Sequence, residues 1–235
     1  MTRLLGLSLI AVATTLCGWQ TRAADEPKLN DKERFDLIVR EDLFAGFNGD
    51  DAALAKGLKA CDAALAKNPK HAEALVWRGA ARVYQAGQLF QAKKPAEGFQ
   101  SYTAGLKDMD DAVKLEPKNA GVRIPRAAVL MPASAGMPDV MAKPLLETVR
   151  GDLETIYELQ KNDLHKLGTH PKGELRMGLA DVYRKLKQAD KARAQLDAVV
   201  KELPDSKYAK RAKEWLAAKP DAKLSHGCIG CHTPK

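Results

Sequence analysis

A stretch of chain that recurs 48 residues later constrains this sequence more than anything else in it. Gly57-Leu58-Lys59, Pro69-Lys70-His71-Ala72 and Arg78 return as Gly105-Leu106-Lys107, Pro117-Lys118-Asn119-Ala120 and Arg126. Self-similarity at such a period marks stacked copies of one supersecondary unit, none of which buries its apolar face alone. The unit is helical. From residue 31 to 219 apolar residues recur at helical spacing, Ala and Leu are abundant, and no stretch alternates as a strand would. The prediction is an all-α fold.

Ala72, Leu75, Arg78 and Gly79 occupy the places of a first repeat helix, and Ala112, Leu115 and Pro117 close a second one. A cleaner copy follows in Leu179, Ala180, Tyr183, Ala192, Leu196, Val199 and Pro204. There Ala180 and Ala192 let two helices approach, Tyr183 fills the gap, and Pro204 cannot continue a helix. On these residues the chain resembles the tetratricopeptide repeat family over about residues 50–130 and 171–219. The resemblance implies a superhelical stack of antiparallel helix pairs with a concave surface suited to protein segments.

Departures from the family pattern carry expectations of their own. The first copy exceeds the usual length of about 34 residues by roughly 14, and the surplus falls around Gln88 to Phe99, so that hairpin is expected to be extended. Arg82 stands where the family places an aromatic, and Pro125 is expected to kink or degrade the next first helix. Residues 131–138, with Pro132, Gly136 and Pro138, read as a flexible connection. A helix that Pro144 can begin, with Leu146, Val149, Leu153, Ile156 and Gln160 on one face, reads as an insertion between repeat blocks. Asp205-Ser206 supplies the N-cap of a last helix carrying Tyr208, Ala212, Trp215 and Leu216, which Lys219-Pro220-Asp221 ends. The expected organisation is a signal peptide (1–23), a lead-in helix (24–49), repeats (50–130), a loop and inserted helix (131–170), a repeat with its capping helix (171–219) and a tail (220–235).

That tail holds Cys228-Ile229-Gly230-Cys231-His232, followed only by Thr233, Pro234 and Lys235. The Cys-x-x-Cys-His run is the attachment pattern of c-type haem. Two thiols three positions apart can each form a thioether to one vinyl group, and the adjacent imidazole reaches the iron. In these five residues the chain resembles c-type cytochromes, which implies one covalent haem c on Cys228 and Cys231 with His232 as proximal ligand. A whole cytochrome domain continues with helices and a second axial ligand, whereas three residues follow here. A sixth ligand has to come from upstream or from another molecule; His226, His165, His170 and Met177 are candidates, and Met131, Met137 and Met141 could cover a haem edge. A Cys228–Cys231 disulfide, a thioredoxin-like pair, or a zinc site including His226 use the same residues. No βαβ pattern accompanies the motif, which counts against the thioredoxin reading, and structural zinc usually draws on two separated ligand pairs.

Compartment bears on the choice. Met1-Thr2-Arg3 is a short basic start, Leu4 to Leu16 is apolar, and Thr21-Arg22-Ala23 offers a cleavage site, so export to a periplasm-like space is expected. Leu16 is too bulky for the residue that lipoprotein signals place before a lipidated cysteine, so no anchor is expected at Cys17. The apolar stretch is short for a span and no second one follows, so no transmembrane anchor is expected in the mature chain. Cleavage would remove Arg3 and Arg22 and take the formal charge from +8 to +6. The lysines are scattered over helix faces, which implies no nucleic acid. Cys61, the remaining cysteine after cleavage, is expected to be a buried core thiol.

The expected function is electron transfer by a periplasmic monohaem c-type protein, with a redox or cytochrome-related partner docked on the concave face. The alternative is a non-haem repeat protein, an interaction or assembly factor for instance in cytochrome maturation, whose tail serves recognition or thiol exchange. An enzyme is the weakest reading, because no paired carboxylates, nucleophile elbow, phosphate loop or zinc-protease helix appears.

Overall fold

The computed structural model describes residues 34–219 together with Ala222 and Leu224. These residues form nine α-helices and one short 3-10 turn, and none of them lies in a strand. The helices are α1 (Asp36–Phe47), α2 (Asp51–Lys67), α3 (Ala72–Gln91), α4 (Pro95–Leu115), α5 (Ala120–Ala133), α6 (Asp139–Gln160), α7 (Thr169–Lys185), α8 (Ala189–Glu202) and α9 (Lys207–Ala217). They pair as α1/α2, α3/α4, α5/α6 and α7/α8, with α9 packed on α8 and α7. First helices stack on one another in α1/α3 and α3/α5, and α2/α3, α4/α5 and α6/α7 join each hairpin to the next. The all-α stack of antiparallel pairs is what the periodicity and the repeat led one to expect.

Helix boundaries follow local chemistry. Side chains of Asp50, His71, Asn119 and Ser206 accept from the backbone N–H groups of Ala53, Ala74, Gly121 and Ala209, satisfying donors that a first turn leaves open. Pro95 opens α4, where its missing N–H costs nothing. Each described hairpin turn then places one residue in the left-handed region: Gly49, Lys93, Gly136 and Lys187, with φ of 102°, 59°, 79° and 61°. Two of the four are glycine, for which that conformation is free of strain.

Three arginines in register on successive first helices tie the stack together. Arg78 on α3 donates through Nε and Nη2 to both oxygens of Asp108 on α4, at 2.8 and 2.9 Å, and through Nη1 to Asp62 on α2. Arg126 on α5 repeats the fork to Asp152 on α6, at 2.7 Å for both bonds, and reaches back to Asp110 on α4. Arg176 on α7 grips Glu202 on α8 at 2.9 and 2.7 Å, and its guanidinium lies 5.5 Å from the Tyr157 ring centre on α6. Each arginine thus links its own hairpin to the second helix of the hairpin before. Arg82, at the place of a family aromatic, adds a bond to Asp108 instead of a ring to the core.

Several expectations change. The extra length of the second hairpin extends it as expected, lengthening α3 and α4, which are joined only by Ala92-Lys93-Lys94; the changes lie elsewhere. Pro125 does not break its helix: α5 runs through both Pro125 and Pro132. Each proline removes one helix bond, and packing of Val122, Arg126, Ala127 and Leu130 in the core outweighs the loss. Residues 131–133 belong to α5, so the connection is only residues 134–138. Pro144 lies inside α6 and does not begin it; the helix starts at Asp139, after Pro138. Nor is α6 an insertion between blocks, because it is the second helix of the α5/α6 hairpin and packs on α7. Sequence alone could not show this, since a proline reads as a breaker until the tertiary contacts that override it are known.

Candidate functional site

The only described part of the tail meets the stack at the end of α7. Gly173, early in α7, leaves room for the Tyr208 ring of α9, which a Cβ there would approach to 2.4 Å. Helices α7 and α9 therefore run side by side from a shared start. At that start the Tyr208 hydroxyl donates to Glu174 at 2.7 Å and lies 2.7 Å from Nδ1 of His170. Between them Met177, Ala180, Leu196, Val199, Leu203, Tyr208, Ala212 and Trp215 close a core. α9 is the capping helix that its apolar spacing predicted.

At the far end, Arg184 of α7 lies with its guanidinium 5.2 Å from the Trp215 ring centre. Its Nη1 donates to the carbonyl of Ala222 and its Nη2 to the carbonyl of Leu224, both at 2.8 Å. A planar fork held flat on an indole is well suited to grip two backbone carbonyls at once. The Leu224 side chain packs against the Met177 and Trp215 core. Ala222 and Leu224 are consequently held against the C-terminal end of α7.

The α7–α8 turn has neighbours with their own chemistry. Lys187 extends toward Asp139 at the start of α6, with 3.9 Å between Nζ and Oδ2. The next residues of α6, Val140 and Met141, are 80% and 50% exposed, large apolar side chains facing solvent. Tyr183 donates to Glu154 at 2.9 Å. Burial, reinforced by that carboxylate, pushes its phenol up to about 12, so it stays protonated.

The sequence-derived site residues fall in different places. Cys228, Cys231, His232 and His226 lie outside the described residues. Met177 is fully buried in the core behind the last hairpin, its thioether enclosed by packed side chains. His165 is exposed on the 3-10 turn Leu164–Lys166, and His170 is exposed at the start of α7. His170 sits at the opposite end of α7 from Arg184, about 21 Å away along the helix, and His165 precedes that helix. Met137 lies in the turn before α6 and Met141 is exposed in its first turn. Cys61 is buried, as expected, and desolvation pushes its thiol up to about 12. Trp77, Trp215 and Tyr183 are core, whereas Tyr84 is half-buried against Phe47, with ring centres 5.2 Å apart. Among the described residues no group of three or more His, Cys, Asp or Glu side chains could hold a metal ion. None of the described helices is long and apolar enough to cross a membrane. Sequence reasoning missed Arg184, whose role depends on a carbonyl pair 38 and 40 residues away. The nearest signal was an arginine one position after the repeat's Tyr183.

Comparison with known proteins bears on the fold. Residues 170–216 match the family model of the tetratricopeptide repeat. No curated protein sequence matches the chain. Among solved structures, a thermophilic TPR protein of Thermus thermophilus superposes with a TM-score of 0.54 at 17% identity, over 80% of this chain and 84% of that one. Paired helices in register, a matching last repeat and this structural likeness together identify a tetratricopeptide-like helical repeat protein.

Proposed function

We propose that the protein is an exported docking scaffold that carries one covalent c-type haem on its C-terminal tail and exchanges electrons with a protein held by the stack. The sequence support is the Cys228-Ile229-Gly230-Cys231-His232 run behind a leader that directs export, since this attachment chemistry needs both thiols and the adjacent imidazole. Cys228 and Cys231 would hold the group and His232 would take one axial position; the group supplies one-electron transfer when bound. The observation that supports the reading is the grip of Arg184 on the Ala222 and Leu224 carbonyls, which holds the chain against the last hairpin four residues before Cys228. A rooted tail keeps a redox group at a defined distance from whatever the stack binds.

The scaffold half rests on architecture. Stacked helical hairpins present their first helices as an extended surface for protein segments. On α5 that surface offers Ile124, 51% exposed, and the exposed Ala128 one turn on. A partner segment with an apolar ridge is the expected ligand, and scattered lysines favour an acidic one.

The test is expression of the full-length chain in a bacterium with active c-type maturation, beside a Cys228→Ala, Cys231→Ala variant. A sharp reduced α-band and a mass increase of one haem, both lost in the variant, are expected. A colourless protein of unmodified mass would sink the redox reading and leave the interaction scaffold alone.

A further inference from the structure

We propose that the tip of the α3/α4 hairpin is a contact for an anionic lipid surface, into which Phe90 and Phe99 dip while Lys93 and Lys94 meet the headgroups. The inference goes beyond the docking and redox reading and uses none of its residues. Large apolar side chains left together in solvent mark an interaction site. Phe90 is 39% exposed and Phe99 55%, and their rings meet edge to face with centres 5.2 Å apart.

The tip stands clear of the stack. On one side the α1–α2 corner reaches only Tyr84 and Gln88, through Phe47 at 5.2 Å between ring centres and through Asp51 at 3.1 Å. On the other, α5 ends at Ala133, which the 48-residue repeat matches to Gln85. Ala86 to Gln91 therefore carry α3 about 9 Å past the end of α5. The tip itself is well held. Backbone N–H groups of Lys93 and Lys94 donate to the carbonyls of Phe90 and Leu89. Gly98 is buried beneath the Phe90 ring, where a Cβ would come within 2.7 Å of it. That ring is thus braced on the first turn of α4, beside Phe99.

Chemistry selects the occupant. Ala92, Pro95 and Ala96 next to the rings are exposed too, and the charges within residues 90–99 are Lys93, Lys94 and Glu97. Lys93 is exposed, and Lys94 approaches Glu97 at 3.7 Å on the open surface, where water weakens the pair. Aromatic rings set among lysines complement a layer that presents anionic headgroups above acyl chains. The two rings expose roughly 200 Å² together, taking about 200 Å² for a whole aromatic side chain. A stable protein interface takes about 800 Å² from each partner. A convex tip of the smaller size suits a deformable surface, which needs no matching pocket.

The test mixes the full chain with vesicles of phosphatidylcholine alone, or of equimolar phosphatidylcholine and phosphatidylglycerol. Beside it stand a Phe90→Ser, Phe99→Ser variant and a Lys93→Gln, Lys94→Gln variant. Any binding through the apolar Leu4 to Leu16 stretch is common to all three proteins. In sedimentation the parent should favour the phosphatidylglycerol vesicles, and each variant should bind them about tenfold more weakly. A second measurement replaces the five phenylalanines by 4-fluorophenylalanine and places a nitroxide on the lipid headgroup. The fluorine signals of Phe90 and Phe99 should then broaden more than that of the buried Phe35. A parent that binds neither vesicle would overturn the proposal and point to a protein pocket for the tip. Variants that bind as the parent does, or Phe90 and Phe99 signals broadened no more than that of Phe35, would overturn it as well.

Discussion

Asp152 shows how much one buried carboxylate can organise. It is fully enclosed on α6 and accepts both arms of the Arg126 fork, with Arg123 as a second cation. Removing one partner of a buried pair strands the other charge away from water, which typically costs about 3–5 kcal/mol. Asp152→Ala is therefore expected to lower stability by about that much. Asp62→Ala removes only the exposed outer contact of Arg78 and should change stability by about 0.5 kcal/mol or less. Urea unfolding of both variants at pH 7 makes the comparison, and equal effects would mean that Arg126 finds water once its partner is gone. Arg78 and Arg126 were visible in sequence as matching positions of a repeat 48 residues apart. Their partners were not, because an aspartate one position before Leu153 on a predicted apolar face reads as a break in the pattern until the facing guanidinium is located.

At the scale of the element, two local features set how each hairpin closes. Helices α3 and α4 cross at Gly79 and Gly105, where a Cβ on Gly79 would come within 2.7 Å of the Gly105 carbonyl oxygen. Backbone cannot yield as a side chain can, so Gly79→Ala should destabilise by roughly 1–3 kcal/mol, the usual cost of overpacking. Lys93 sits in the turn of the same hairpin at a φ of 59°. A left-handed residue with a Cβ is strained by about 1–2 kcal/mol, so Lys93→Gly should raise stability by somewhat less, part of the gain being offset by the freer unfolded chain. Thermal unfolding of the two variants should move in opposite directions; a Gly79→Ala protein as stable as the parent would show that α3 and α4 slide apart without loss. Helix existence and pairing were legible in the sequence wherever apolar spacing and small residues agreed, as in α7/α8. Boundaries near prolines were not, because Pro125 is tolerated in α5 through the core packing around it, and the exposed Pro132 and Pro144 lie in the last turn of α5 and the first two turns of α6.

For the molecule as a whole, the stack is joined by neighbours alone. Such arrays distribute stability as hairpin terms plus interface terms, so damage at one end need not spread to the other. The last hairpin depends on α9, whose Tyr208, Ala212 and Trp215 close the core around Met177. Trp215 also provides the flat face beneath Arg184, so it serves both the cap and the tail root. Trp215→Ala removes a buried aromatic, a loss of about 3–5 kcal/mol where the cavity does not collapse. Its consequence is expected to be local: amide hydrogen exchange should accelerate in α7, α8 and α9 while α3 and α4 keep their protection. Ala222 and Leu224 should lose protection with them, because the guanidinium that holds their carbonyls has lost its support. Uniform acceleration along all nine described helices would instead mean that the arginine links through Arg126 and Arg176 bind the hairpins into one cooperative unit. The candidate site would then be coupled to the whole docking surface, and a partner bound near Ile124 could alter the tail root from a distance.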